Sequence, residues 1–170
     1  MFRFQLNLVA AASLLLLAKG VCLPAFSAVP VIPAEDQRVF LHSSQNNLAA
    51  NKKLCYDFFR VVLRGGHLDQ AEKYMAEDYI QHNPNAQTGI QGFKSYFVAA
   101  GLKPQPIKDT LENLVAMQAE GNYVTLSFRR EYDDPNKPGQ KYTTTWFDMF
   151  RVENGKIAEH WDSATMIPRK

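Results

Sequence analysis

Two strand-like runs meet at Glu153-Asn154-Gly155-Lys156, and no other stretch limits the fold so tightly. Asn and Gly tolerate the positive φ angles that tight hairpin turns demand, so Tyr142 to Ala164 reads as a β-hairpin. Apolar and neutral residues would be enough to build its aromatic strands. Asp148 and, beyond the turn, His160 and Asp162 are titratable exceptions, and chemistry is to be sought among them.

The register of the hairpin decides which of them share a face. A two-residue type I′ loop pairs Val152 with Ile157 and sets Asp148 opposite Trp161. A type I turn followed by a bulge at Gly155 pairs Val152 with Lys156 and sets Asp148 opposite His160. A slip of one residue exchanges the whole face. The second register is favoured, because it gathers Asp148, His160, Trp146 and Asp162 on one side, and polar groups segregated within apolar strands line cavities.

The first residues differ in kind from the rest. Arg3 precedes an apolar run from Leu6 to Ala18, and Ala25-Phe26-Ser27-Ala28 offers small residues at cleavage spacing, the pattern of a secretory signal peptide over 1–28. The run is short for a membrane span, which needs about 20 apolar residues, and Lys19 interrupts it. A secreted or periplasmic location is expected, with no membrane association after cleavage. Cleavage removes Arg3 and Lys19 and no acid, so the formal charge of +2 falls to zero. A neutral chain without a basic stripe speaks against nucleic acid as a partner. Cys22 leaves with the signal, and Cys55, on an apolar helical pattern, is left as a buried small hydrophobe without a disulfide partner.

Val29 to Ala34, with Pro30 and Pro33, reads as an extended arm, and Glu35 to Asn47 as weakly helical. Leu48, Leu54, Cys55, Phe58, Phe59, Val62 and Leu63 recur at helical spacing before a Gly65-Gly66 stop. A brief helical pattern at Leu68 to Met75 leads into Tyr79-Ile80-Gln81-His82-Asn83-Pro84, an extended segment closed by proline. Thr88 to Ala100 is a further helix. From Ile107 the period changes to that of strands: Ile107 to Ala119, Tyr123 to Tyr132 and the hairpin. Helices first and strands later predict an α+β domain over 48–170, with helices covering one face of a curved antiparallel sheet. The segment 29–47 stands before it as arm and weak helix.

The Tyr-Ile-Gln-His-Asn-Pro segment, followed by a helix and by strands ending Trp-Phe-Asp-Met-Phe-Arg-Val-Glu-Asn-Gly-Lys-Ile-Ala-Glu-His-Trp-Asp, resembles the SnoaL-like polyketide cyclase family of the nuclear-transport-factor-two-like superfamily. The resemblance implies a cone-shaped α+β fold, a bent sheet wrapped on helices around an apolar pocket, and a homodimer through the sheet. It also implies that the aspartate of the strand before the final turn, here Asp148, acts as acid and base in an aldol ring closure without metal or cofactor. The further histidine that such cyclases carry on the preceding strand has no counterpart in Ser127 to Tyr132.

The chemistry agrees with the residue types. A carboxylate walled by Trp146, Phe150 and Trp161 loses hydration and becomes a better base toward a carbon-bound proton. His160 or His82 would donate to the developing enolate, with Tyr79 and Asp162 completing the pocket. Plainer roles exist for each: Asp148 as an ion-pair partner of Arg129, Arg130 or Arg151, His82 as a turn-stabilising hydrogen bonder, and the tryptophans as core. His82, His160 and Asp148 are also a conceivable metal set, although nothing in their spacing demands one, and no cofactor is called for. No His-Glu-x-x-His, paired Cys-x-x-Cys, Gly-rich phosphate loop or Gly-x-Ser-x-Gly occurs. The expected function is cofactor-free acid/base chemistry of aldol, isomerase or dehydratase type on a small apolar carbonyl compound. The alternative is a non-catalytic protein that binds a small apolar ligand.

Overall fold

A computed structural model describes residues 28–168. The segment read as a signal peptide, with Arg3, Lys19 and Cys22, lies outside the described residues except for Ala28. Among the described residues no helix is long and apolar enough to cross a membrane.

Helix α1 spans Asn46–Phe58 and runs on as a π-helical stretch, Phe59–Arg64. The wide turn closes where the Gly65 N–H donates to Arg60 O at 2.9 Å, five residues back. Gly66 follows at φ +71, and a Cβ there would lie 2.1 Å from Lys103 O, so only glycine admits the close passage of the chain at Lys103. Short α2 (Ala71–Tyr74) leads into β1 (Met75–Gln81), and α3 covers Ile90–Ala99. Strands β2 (Leu114–Glu120), β3 (Tyr123–Asp133), β4 (Lys141–Glu153) and β5 (Lys156–Asp162) complete the chain. The strand expected from Ile107 begins only at Leu114, and Glu35 to Asn47 forms one short 3-10 turn, Arg38–Leu41, before α1. The arm is held along the sheet: Val31 N–H donates to Thr143 Oγ1 and Ala34 N–H to Leu114 O, both at 2.8 Å.

The five strands form one sheet in the order β1-β5-β4-β3-β2. All neighbours are antiparallel except β1 and β5, which run parallel at the edge. α1 lies on the concave face, where Phe58 and Phe59 meet the sheet's Phe128 and Phe150 with ring centroids 4.8–5.9 Å apart. Cys55 is fully buried beside them, and burial pushes its thiol far above its usual pKa, as expected of a structural cysteine.

The hairpin has neither anticipated register. Asn154 and Gly155 both take positive φ, 50 and 73, so the turn is the two-residue loop and Val152 pairs with Ile157. A bulge then follows, not at Gly155 but at Ala158: Arg151 pairs with Glu159, Phe150 with His160 and Asp148 with Asp162. Without that extra residue His160 would lie on the convex face with Met149. The bulge turns His160 and Asp162 inward and sends Glu159 and Trp161 outward.

Candidate active site

Between the concave face, the end of α1 and α3 lies a cavity of about 440 Å³. Phe58, Phe59 and Leu63 come from the helix, Tyr96 and Phe97 from α3, and Trp146, Asp148 and Phe150 from alternate positions of β4. Tyr79 and Gln81 enter from β1, His160 and Asp162 from β5.

At its floor His160 Nε2 lies 3.0 Å from Asp148 Oδ1, both side chains nearly buried at 11% and 12% exposure. The contact is diagonal, since His160 stands opposite Phe150, and the two rings stack at 4.7 Å. His160 Nδ1 lies 2.9 Å from Gln81 Oε1. That oxygen also accepts the Asn83 backbone N–H at 3.0 Å, while Gln81 Nε2 donates to Tyr79 Oη at 3.0 Å. A backbone N–H is an unambiguous donor, so the amide oxygen faces His160 and Nδ1 must carry hydrogen. Nε2 and Asp148 Oδ1 then share one proton, as imidazolium and carboxylate or as imidazole and carboxylic acid. Asp148 Oδ2 has no protein partner among the described residues.

Asp162 is anchored beside this pair, Oδ2 accepting from Asn83 Nδ2 at 2.7 Å and Oδ1 from the Ala164 N–H at 3.0 Å. Tyr79 is buried, and desolvation, reinforced by the charges of Asp162 and Asp148, pushes its phenol far above the usual range, so it remains protonated and able to donate. Asp148, His160 and Asp162 each offer one atom within 4.8 Å of the others, a spacing open to a metal ion. An ion there would take the Nε2 position that the shared proton occupies.

Of the residues singled out in the sequence, Asp148, His160, Trp146, Phe150, Tyr79 and Asp162 line the cavity. His82 and Trp161 do not. They lie on the convex face, stacked at 4.7 Å with 5° between their planes, and His82 Nε2 lies 3.0 Å from Glu159 Oε2. Neither an enolate donor at His82 nor a metal set containing it is compatible with this placement. Trp161 likewise does not wall Asp148. Strand alternation explains it: Tyr79 and Gln81 share a face, and His82 belongs with Ile80. Arg129 and Arg151 pair with Glu131, Glu153 and Glu159, so neither is the partner of Asp148. Gln81, Asn83 and Arg64 were not foreseen, although period-two reading from Tyr79 singles out Gln81, and Arg130, expected only as a partner of Asp148, lines the cavity without pairing with it.

Residues 56–160 match the SnoaL-like domain family profile. The chain belongs to the SnoaL-like domain family. No curated protein matches it. Among solved structures, a protein from Acidithiobacillus ferrooxidans assigned as a polyketide cyclase is 19% identical with a TM-score of 0.50, over 71% of this chain and 89% of that one. A SnoaL-like protein from Jannaschia sp. CCS1, also assigned as a polyketide cyclase, is 15% identical with a TM-score of 0.47, over 72% and 91%. AclR from Streptomyces galilaeus, assigned as a hydroxylase, is 23% identical with a TM-score of 0.47, over 68% and 78%. Such identities speak for fold alone, and only the first reaches a TM-score of 0.5. This SnoaL-like domain has the expected architecture, a curved sheet on N-terminal helices.

Proposed function

We propose that the SnoaL-like cavity performs cofactor-free acid/base chemistry, of aldol, isomerase or dehydratase type, on a small apolar carbonyl compound. The observation that carries this reading is the 3.0 Å contact of His160 Nε2 with Asp148 Oδ1 inside an aromatic cavity. In the imidazolium–carboxylate form, Asp148 Oδ2 takes the proton from the carbon next to the carbonyl. The C–H electron pair moves into an enolate, and the Tyr79 hydroxyl donates to its oxygen. Return of the proton to another carbon gives isomerisation. Attack of the enolate on a second carbonyl, whose alkoxide takes the proton back from Asp148, gives ring closure, and expulsion of a β-hydroxyl that leaves as water with that proton gives dehydration.

The test is α-proton exchange of 2-tetralone in deuterated water, followed by proton NMR. The protein is expected to accelerate exchange, and Asp148→Asn to lose about 10²- to 10⁴-fold of that acceleration. Equal exchange by both proteins would sink the reading. Binding of 2-tetralone without accelerated exchange would favour a ligand carrier instead.

The same reading puts the protein outside the cytoplasm, secreted or periplasmic, after loss of its first 28 or so residues. Mass spectrometry finding an uncleaved Met1 in the native host would count against this. It also pairs two copies through the convex face, where Phe147 is 49% exposed. Sedimentation is expected to give a dimer at micromolar concentration.

A further inference from the structure

Six arginines fall among the described residues, and four are held by carboxylates: Arg38 by Asp36, Arg60 by Asp57, Arg129 by Glu131, and Arg151 by Glu153 and Glu159. Arg64 and Arg130 alone have no ion-pair or side-chain hydrogen-bond partner among the described residues. Both line the candidate cavity. Each guanidinium lies over an aromatic ring of the concave face, Arg64 over Phe128 at 5.6 Å and Arg130 over Trp146 at 5.3 Å. Those rings are cross-strand neighbours in the β3–β4 ladder, so the two cations stand side by side at one wall. Partial desolvation of the exposed Arg64, and then the charge of Arg130, lower its pKa. Glu112, whose charge also reaches Arg64, is itself held by Lys108.

The charges of the cavity do not balance. Two guanidiniums bring two positive charges and Asp162 one negative. The His160–Asp148 pair brings none, because it keeps one shared proton. One positive charge is left over, on guanidiniums that stack on aromatic rings of the cavity wall while remaining exposed to solvent.

We infer that the substrate is a monoanion, an apolar carbonyl compound carrying a carboxylate that Arg64 and Arg130 grip while its reactive carbon lies toward Asp148. A planar carboxylate matches the guanidinium fork, and two forks on one wall fix orientation as well as position. The inference rests on the cavity being a substrate site, and it narrows the apolar compound of the preceding section to an amphipathic acid. A dianionic phosphate would overshoot the single uncompensated charge.

Calorimetry with 2-naphthoate, its methyl ester and 2-naphthyl phosphate tests this without any turnover. The protein is expected to bind 2-naphthoate about tenfold or more tightly than the ester, the range of a charge-assisted hydrogen bond. Arg64→Gln and Arg130→Gln should each remove most of that preference and leave the ester's affinity in place, which also shows that the variants are folded. Absence of a carboxylate preference, whether both probes bind alike or neither binds, overturns the inference. So does a preference that survives in the double variant, or tighter binding of the phosphate. Loss of the acid/base reading, by an Asp148→Asn protein that still exchanges protons, would leave the carboxylate preference standing.

Discussion

The two faces of the sheet carry the same pair of groups at the same distance. On the concave face His160 Nε2 lies 3.0 Å from Asp148 Oδ1, at 11% and 12% exposure. On the convex face His82 Nε2 lies 3.0 Å from Glu159 Oε2, at 40% and 17%. Their surroundings differ. The outer carboxylate also accepts from Arg151, and solvent reaches its histidine. The inner carboxylate has no arginine hydrogen-bonded to it, and its histidine is fixed by Gln81 through the other ring nitrogen. A histidine–carboxylate contact therefore says little by itself. Dry walls and an oriented ring make the inner one suited to moving a proton, whereas water and a competing cation make the outer one a surface ion pair.

Activity should separate the faces most sharply. Glu159→Gln is expected to leave α-proton exchange unchanged in the NMR assay in which Asp148→Asn loses about 10²- to 10⁴-fold. A large loss in both would erase the distinction. Stability should separate them next. Phe150, 1% exposed on the concave face, is expected to cost about 3–5 kcal/mol when cut to Ala, read by urea unfolding. Phe147→Ala on the convex face should cost about 0.5 kcal/mol in the monomer and act on association instead. An effect between these two is expected from His160→Ala, which strands Gln81 and Asp148 and should cost about 1–3 kcal/mol in the same unfolding measurement.

The smallest effect belongs to His82. Its hydrogen bond, and then that of Arg151, hold the Glu159 carboxyl below the usual range. A carboxyl depressed in the folded state contributes stability above its unfolded pKa and loses it as pH falls through the folded value. His82→Ala should therefore raise the Glu159 titration seen by carbon NMR and bring the acid loss of stability to higher pH, with exchange activity at neutral pH unchanged.

Much of this was legible in the sequence. The Asn154-Gly155 turn, the helical spacing of Leu48 to Leu63 with its Gly65-Gly66 stop, and the change of period in the second half of the chain are local signals, and local physics sets them. The register was not legible, because Ala158 is small and apolar and packs acceptably whether it is paired or bulged. Only the demand of the whole sheet decides. His82 is a different case: strand alternation puts Gln81, not His82, on the face of Tyr79, and the chemistry of an imidazole says nothing about which face it takes. Arg64 and Arg130 could not be singled out from their own neighbourhoods. Their meaning lies in which carboxylates fail to reach them, and that depends on the packing of α1 against β3 and β4.

The central claim is that the concave pair holds one proton between His160 and Asp148, because Gln81 commits the other ring nitrogen to donation. Nitrogen-15 NMR of the imidazole at neutral pH reads this directly. The account predicts a hydrogen on Nδ1 of His160, which Gln81→Glu retains and Gln81→Leu releases. A His160 ring with hydrogen on Nε2 alone and a bare Nδ1 would contradict it, leaving Asp148 an ordinary acceptor with no proton to exchange.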